Sequence, residues 1–429
     1  MKRNNENMHV NINSKKDSTN RNIPMMIKFN IELGKLFQGL NKNVIILILF
    51  LLILYFSSAF INLIYQLYFK SVGYSAFSIG ILSTVMGLTV SVLLIPSGIL
   101  ADIFNRKIVI TIGSFILCTG QVLIFVYMNY TIQLMAMFLI GLGSAFIVSA
   151  GGAFMTEILD EKFYDKGFSF LSSAQVLATT IAGIVGWLPV YFNKNLHYSE
   201  VDSYKISGLI MGIIGFTSLL FLFLIKEIKK TNPKSRLSLN LFKDDKNFIM
   251  KFAFINVIVG LGAGFSIPLF NYYLSVKFNV DSGPIGTLNA FASFTMIPLY
   301  IMMPHIRESF GYLRAIVLPQ AFSIILLMLI PVSPNFIVAS LFYISRQALM
   351  NIPNPLVSSF MMRNISQKSR ATANAIINMS WSLPNSISIP LGGYIMDRYL
   401  DLPIYITSVF YMIYVILLNY FIKRYDQKI

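Results

Sequence analysis

The chain has 429 residues, of which 55% are hydrophobic and only 12% are charged, and its mean hydropathy is +0.67. A soluble globular protein carries ~25% charged residues. The composition therefore excludes a soluble globular protein and indicates a polytopic membrane protein. The single cysteine, Cys118, excludes an intramolecular disulfide and argues against a thiolate metal site.

The amino-terminal tail, residues 1–43, is predicted to lie in the cytoplasm. Its first part is rich in Asn, Lys and Ser, which predicts disorder, and it lacks the apolar core of a cleavable signal peptide. Over residues 23–40, apolar side chains such as Phe29, Leu33 and Leu36 recur at helical spacing. This pattern predicts an amphipathic helix on the membrane surface, with a plain linker as the alternative.

Twelve apolar runs follow, and each has about the length of a membrane-spanning helix, ~20 residues. They cover 44–68, 75–97, 108–128, 131–155, 167–191, 206–225, 252–275, 284–303, 315–332, 334–356, 371–394 and 402–422. A hydrophilic segment divides them into six and six. The predicted domains are therefore a six-helix bundle over 44–225, a cytoplasmic linker over 226–251, a second bundle over 252–422 and a tail over 423–429.

The basic residues are distributed unequally between the two sides of the predicted membrane. Most of the 34 Lys and Arg residues fall in the tails, in the central linker and in the loops that lie on the same side of the membrane as the tails and the linker. By the positive-inside rule, both termini lie in the cytoplasm, and we expect a multi-pass protein of the plasma (inner) membrane. The net charge of +16 is thus a signal of topology and of contact with anionic membrane lipids. No soluble domain offers a basic face for nucleic acid.

A short charged turn joins the second and third runs. It contains Gly98, Asp102, Asn105, Arg106 and Lys107. The stretch resembles the loop signature of the major facilitator superfamily, Gly-x-Leu-Ala-Asp-x-x-Gly-Arg-Lys. Asn105 replaces the usual Gly, and we expect it to take the left-handed backbone conformation that Asn tolerates.

The second half of the chain holds a degraded copy of this turn, in which Glu308 and Gly311 stand in the places of Asp102 and Asn105. Two related halves imply a pseudo-two-fold axis along the membrane normal, with a binding site between them. The resemblance implies an all-α membrane protein, with twelve transmembrane helices in two pseudo-symmetric six-helix bundles around a central cavity. It also implies solute transport by alternating access.

The loop predicts a cytoplasmic gate. Asp102 can face the start of the eleventh span, where a carboxylate against a helix amino terminus gains ~0.3–1 kcal/mol, and up to ~2 when partly buried. Arg106 can pair with Glu157, and the repeat places Glu308 with Arg363. The resemblance implies that the Asp102 contact holds the cytoplasmic side closed, and we expect it to break in the inward-open state. The alternative is a solvated loop without a gating role.

Arg346 is the one charged residue inside the twelve runs, and a charge at the bilayer centre costs at least ~2.5–3.5 kcal/mol on insertion scales. Tyr343 and Asn354 lie on its helical face. Arg346 either lines a cavity for an anionic or acceptor-rich solute, or holds carbonyl and polar groups of the eleventh span.

The eleventh run carries one continuous polar face, which either lines a cavity or forms interhelical hydrogen bonds. This face consists of Asn374, Asn378, Trp381 and Asn385. Spans one and seven offer further candidates for substrate binding, Gln66 and Asn271, at matching places.

No acidic residue and no histidine lies within the central part of a run, so proton coupling through a buried acid has little support. No phosphate-binding loop and no metal-ligand spacing is present, and we expect no enzyme activity, no cofactor and no metal. The first interpretation is a monomeric transporter that exports a small organic solute. The alternatives are uptake of an anionic metabolite through the Arg346 cavity and, from another class, a membrane receptor or scaffold that does not transport.

Overall fold

The computed structural model describes residues 41–159, 163–225, 245–366 and 370–426. The described part is helical almost throughout and contains no strand. The predicted surface helix over 23–40, residues 226–244 of the predicted linker and residues 427–429 lie outside it. The domain boundaries assigned from these segments stay predictions.

The first half of the chain forms six spans and one short helix. Asparagine or serine caps most of these helices at their amino ends; the Asn41 side chain, for example, accepts a hydrogen bond from Val44 N at 2.9 Å. The helices are α1 (Lys42–Ser71), α2 (Ala76–Ile103), α3 (Arg106–Val126), α4 (Tyr130–Ile158), α5 (Tyr164–Val185), the short α6 (Leu188–Leu196) and α7 (Glu200–Leu224).

The second half repeats the arrangement with more interruptions. Its helices are α8 (Lys246–Ser266), a 3-10 turn (Ile267–Leu269), α9 (Phe270–Phe278), α10 (Ser282–Leu329), α11 (Phe336–Asn351), α12 (Asn354–Arg363), α13 (Arg370–Met396) and α14 (Leu402–Asp426). Pro268 lies in the 3-10 turn and Pro353 precedes α12. Because proline cannot donate the backbone hydrogen bond of a continuous helix, both spans break there.

The structure corrects one detail of the repeated loop. In the second half, the range given for α10 contains two helices that meet at Gly311, a non-helical residue with φ +76°, and they hold the predicted eighth and ninth spans. Asn105 is not left-handed, as its φ is −67° and its side chain caps α3 by accepting from Lys107 N at 3.0 Å. The positive φ that the signature glycine would provide is therefore needed in the second half only.

Nine helical stretches of the described chain are long and apolar enough to cross a membrane. The three other spans are the first part of α10, the α11–α12 pair and α13, and they are the more polar ones. Together the spans form the twelve-helix, two-bundle architecture, with α1–α7 in one bundle and α8–α14 in the other. The more polar spans belong to the bundle that holds the larger cavity described below.

The two bundles meet at one face of the molecule. We call the face where α1 begins and α14 ends the inner face, and the opposite one the outer face. In the described chain, every hydrogen bond between the bundles lies in the outer half, as between Thr84 Oγ1 and the Ser386 carbonyl at 2.7 Å and between Lys70 Nζ and Ser275 Oγ at 2.8 Å. Gly98, near the inner end of α2, has no neighbour that a Cβ would meet within 4 Å. The structure is therefore closed outside and open inside.

A pair of glycines lets α5 and α10 touch on the closed side. A Cβ on Gly183 would collide with the Gly286 carbonyl and lie 2.9 Å from Ala290 Cβ, and a Cβ on Gly286 would collide with the Gly183 carbonyl. The Ser282 hydroxyl donates to the Gly186 carbonyl at 2.8 Å one turn further out. Backbone contact at this crossing needs residues without side chains.

We predict that Gly183→Ala destabilises this structure by ~1–3 kcal/mol, the usual cost of overpacking a tight contact. The thermal unfolding midpoint of purified protein measures the effect. Gly152→Ala on α4 is the matched control, because no atom lies within 4 Å of its added Cβ. Equal midpoints for the two variants would contradict the close packing of α5 on α10.

Candidate functional site

A cavity of about 510 Å³ lies inside the second bundle, between the middle of the molecule and its inner end. Helices α8, α11, α12, α13 and α14 surround it, and the second part of α10 contributes Gln320. All the residues that line it belong to the second half of the chain, and none of those described is Asp or Glu. The cavity therefore has the positive charge of Arg346 without an acidic counter-ion.

Arg346 is only 4% exposed, yet its guanidinium is incompletely paired. Nη2 donates to the Tyr411 hydroxyl at 3.2 Å, and the guanidinium carbon lies 5.5 Å from the centre of the same ring. The buried Nε has no hydrogen-bond partner, and neither has Gln320 Oε1 in the same cavity. Each unpartnered buried polar atom costs ~1–3 kcal/mol, so the cavity presents a donor and an acceptor that a solute or ordered water would satisfy.

The polar face of α13 borders this cavity. Asn374, Asn378, Trp381 and Asn385 all line it, together with Asn354 from the start of α12. Trp381 is 44% exposed, whereas Asn385 is 9% exposed and donates to the Gly260 carbonyl at 3.4 Å. The polar face of α13 thus has both roles that its spacing allowed. Along most of the face the side chains line the cavity, and at the outer end of the face Asn385 bonds α8.

The structure does not bring three other predicted binding residues into this cavity. Tyr343 instead stacks on Phe270, with ring centroids 4.6 Å apart. Gln66 is buried between the bundles, where it donates to the Pro268 carbonyl and accepts from Tyr272 N at 3.1 Å. Asn271 lies in a different cavity. Helical spacing placed Tyr343 and Arg346 on one face of α11. Tyr343, however, lies one turn closer to the outer face, where it packs against α9 and not in the cavity.

This second cavity, of about 360 Å³, lies between the two bundles. Helices α1 and α5 contribute one wall, and α9, α10 and α11 contribute the other. Its polar groups are almost all uncharged amides and hydroxyls: Ser58, Asn62, Gln175, Thr179, Asn271, Asn289, Ser293 and Gln347. Because Gln347 follows Arg346 directly, α11 separates a charged cavity from a neutral one that both bundles share.

At the inner face, the predicted gate residues form contacts within their own bundle. Arg106 bonds Glu157 at 2.9 Å and Asp102 at 3.2 Å. The Asp102 side chain is 46% exposed, and exposed ion pairs of this kind contribute only ~0–1 kcal/mol. Lys107 Nζ donates to the Ile225 carbonyl at 2.7 Å. The hydrogen bond described for Asp102 is the one that it accepts from Arg106 Nη2 at 3.2 Å, within the first bundle.

The repeat of this loop is built differently. No ion pair joins Glu308 and Arg363 in the described chain. Instead, the guanidinium carbons of Arg307 and Arg363 lie 4.4 and 5.8 Å from the centre of the Tyr312 ring. The exact repeat of the Arg106–Glu157 pair is therefore absent here, and a cation–aromatic cluster occupies its place.

At the outer face, a carboxylate that the sequence did not suggest joins the bundles. Asp397, just past the end of α13, accepts hydrogen bonds from Ala76 N at 2.7 Å and Phe77 N at 3.0 Å. These are the first backbone N–H groups of α2, which have no partner inside the helix. Asp401 lies nearby but contacts only its own bundle, through Tyr273 at 2.8 Å and Lys277 at 2.7 Å.

The arrangement suits binding and movement of a solute. Among the described residues, no group of three or more His, Cys, Asp or Glu side chains could hold a metal ion. The missed residues, Asp397, Gln320 and Tyr411, come from spans that pack together only in three dimensions. For Asp397, the one sequence feature that could have been used is its position at the outer end of the span that Asp102 was expected to cap.

Comparison with known proteins agrees with this architecture. The chain is 18% identical over 372 residues, 86% of its length and 93% of the relative, to the quinolone resistance protein NorA of Staphylococcus aureus. Among solved structures, a bacterial homologue of the human lysosomal transporter Spinster, in an inward-facing conformation, matches with a TM-score of 0.70 and 14% identity over 90% of this chain and 97% of that one. A transporter of the POT family matches with a TM-score of 0.72 and 14% identity, over 91% and 98%.

The model of the Major Facilitator Superfamily matches residues 47–389, which is most of the chain. This match covers the first bundle and the second as far as residue 389 in α13, and it includes the loop from Gly98 to Lys107. The family is one of transporters rather than enzymes. The chain therefore belongs to the Major Facilitator Superfamily, and it is a multi-pass membrane transporter.

Proposed function

We propose that the protein exports a small organic solute, neutral or anionic, from the cytoplasm by alternating access. The observation that supports this substrate class is the buried Arg346, which has an unpartnered Nε and no acid among the described residues that line its cavity. A lone cation in a cavity of low dielectric attracts anions and repels cations. The cavity is therefore unfavourable for the cationic compounds that many exporters carry.

The solute must also contact both bundles. A ligand shifts a conformational equilibrium only through different affinities for the two states. The Arg346 cavity is formed by one bundle, so a solute confined to it would move with that bundle. The adjacent amide-lined cavity belongs to both bundles, and Gln347 lines it one residue from Arg346. An acidic or acceptor-rich group directed to Arg346, with the rest of the solute between the bundles, satisfies both requirements.

Reciprocal helix capping provides the gates. In the closed outer half, Asp397 of the second bundle caps the amino end of α2 in the first. In the outward-open state, Asp102 at the carboxyl end of α2 caps the amino end of α13 near Ala371 and Asn374. Each cap contributes up to ~2 kcal/mol, so exchange of one for the other changes the balance between the states without a large net cost.

The proposed direction of transport and the proposed membrane location rest on a relative's name and on the distribution of charge, not on the geometry of the cavity. The relative from Staphylococcus aureus is named for drug resistance, which favours export of a drug-like compound. The excess of Lys and Arg on the inner face favours a plasma membrane orientation with both termini in the cytoplasm. Uptake of an anionic metabolite through the same Arg346 cavity is the second candidate. A receptor or scaffold would not need a cavity in which Arg346 Nε and Gln320 Oε1 remain unpaired.

We expect anionic or neutral compounds, rather than cations, to raise the unfolding temperature of the purified protein in a thermal-shift screen. Arg346→Gln should weaken binding of the best anion at least tenfold, which is ~1.4 kcal/mol. Arg398→Gln is the matched control, since its guanidinium also lies on a tyrosine ring, at 4.0 Å, but outside the cavity. Stabilisation by cations alone, or equal affinities of the two variants, would contradict the proposed substrate class.

Asp397→Asn should weaken the outer closure. Spin labels at Met128 and Val332, both exposed at the outer face on opposite bundles, report its opening by pulsed electron resonance. We expect a larger long-distance population in Asp397→Asn because an amide is a weaker cap than a carboxylate. Asp401→Asn, whose contacts stay within one bundle, should leave the distances unchanged. A wild-type distance distribution in Asp397→Asn would rule out the outer cap.

Asp102→Asn should reduce transport into proteoliposomes at least tenfold, because the outward-open state loses its inner cap. The assay uses the best compound of the screen. Asp202→Asn, at an exposed site in the first turn of α7 on the outer face, is the control for the loss of one carboxylate. Full transport by Asp102→Asn would show that the inner loop is merely solvated.

A further inference from the structure

A groove of about 340 Å³ runs along the surface of the second bundle where α8 packs against α14, at the inner end of both helices. Its walls are apolar, with Met250 and Phe254 on α8 and Leu417 and Tyr420 on α14. Two cations, Lys251 and Arg424, lie in the same groove. None of the residues that the structure describes as lining it is acidic. The groove thus combines an apolar length with a positively charged end.

The groove has a rigid floor. Phe248 packs between Phe421 and Tyr425, with ring centroids 5.1 and 4.9 Å away, and Phe252 lies 5.5 Å from Phe421. The walls, in contrast, are open to the surroundings of the protein: Phe254 is 60% exposed and Tyr420 is 66% exposed. The aromatic packing makes the floor preformed. Because lipid surrounds a membrane transporter at this depth, the unfilled space of the groove faces acyl chains.

Within the described chain, the two cations of the groove have no acidic partner, since neither Lys251 nor Arg424 takes part in an ion pair there. Other basic residues of the inner face do have protein partners: Arg106 bonds Glu157, and Lys107 bonds the Ile225 carbonyl. Both groove cations are exposed, and they come from two neighbouring helices, so together they can hold one anionic group.

We propose that this groove binds one anionic phospholipid from the leaflet at the inner face. The phosphate lies between Lys251 and Arg424, and an acyl chain fills the channel toward Leu417, which is roughly 10 Å deeper along α14 at 1.5 Å per residue. Basic sites between membrane helices on the cytoplasmic side suit anionic head groups. A zwitterionic lipid carries a compensating cation that these two residues would repel.

The site has a structural consequence for transport, although its existence does not depend on the substrate. Helix α8 presents Lys251 and Phe254 to the groove, while Phe252 and Asn256 on another face of the same helix line the Arg346 cavity. A lipid in the groove therefore stabilises the position of a helix that forms the cavity wall. The stability of this helix would then depend on the lipid composition of the membrane as well as on bound solute.

Native mass spectrometry of the full chain, after removal of co-purified lipid, tests the site. Dioleoyl phosphatidylglycerol and dioleoyl phosphatidylcholine are titrated onto wild type and onto the double variant Lys251→Gln, Arg424→Gln. The matched control is Lys246→Gln, Lys423→Gln, which removes the same charge from exposed residues of the same two helices outside the groove. Unfolding midpoints without lipid confirm that each variant is folded.

We expect wild type and the control to bind the first phosphatidylglycerol at least fivefold more tightly than phosphatidylcholine, and the groove variant to lose this preference. Equal losses in the groove variant and in the control would show that general surface charge attracts the lipid and would overturn the proposal. Equal affinity of wild type for the two lipids would overturn it as well.

Discussion

The first turn of a helix carries backbone N–H groups that its own residues cannot satisfy, and this constraint organises the interface between the bundles. Helices α2 and α13 cross that interface side by side and run in opposite directions. At the outer end, Asp397 supplies acceptors for the first N–H groups of α2. At the inner end of α2, Asp102 bonds Arg106 in this structure. We propose that in the outward-open state it caps α13 instead, so that the same pair of helices is capped at one end or the other.

The Arg346 cavity also contains hydrogen-bonding groups that the protein leaves unpaired. Arg346 is buried among tyrosine, asparagine and aliphatic side chains, with one hydrogen bond and no nearby acid in the described chain. A structural arginine would be expected to have its donors paired, because each unpaired buried group reduces stability. An incompletely bonded cation beside 510 Å³ of space is typical of a site whose missing partner arrives with the solute.

The sequence predicted the helices well because apolar length and charge placement act locally. It did not predict that a 3-10 turn at Pro268 interrupts the seventh span. The stripe from Asn374 to Asn385 reached the cavity as its spacing indicated, since a polar face on a membrane helix must turn inward. The Arg106–Glu157 pair was anticipated from the loop and is present.

The remaining sites depended on tertiary contacts that spacing does not contain. Gln66 looked like a binding residue, but its amide bonds backbone groups of the opposite bundle. Asn105 was expected to need a left-handed conformation, whereas it serves as a helix cap. Asp397 has no sequence signature as a gate residue because its partners, Ala76 and Phe77, are apolar and contribute only their backbone. Side-chain identity reveals little about an interface made through the main chain.

The proposed gating by Asp102 and Asp397 predicts a shift between the two states of the transporter that a single distance can test. Labels at Ile108 and Phe310, both exposed near the inner face on opposite bundles, report the inner opening by pulsed electron resonance in lipid nanodiscs. Loss of the Asp397 cap should shift the distribution toward short distances, and loss of the Asp102 cap should shift it toward long ones. The double variant Asp102→Asn, Asp397→Asn should return toward the wild-type distribution. Shifts of both single variants in the same direction, or no shift in either, would contradict the reciprocal caps.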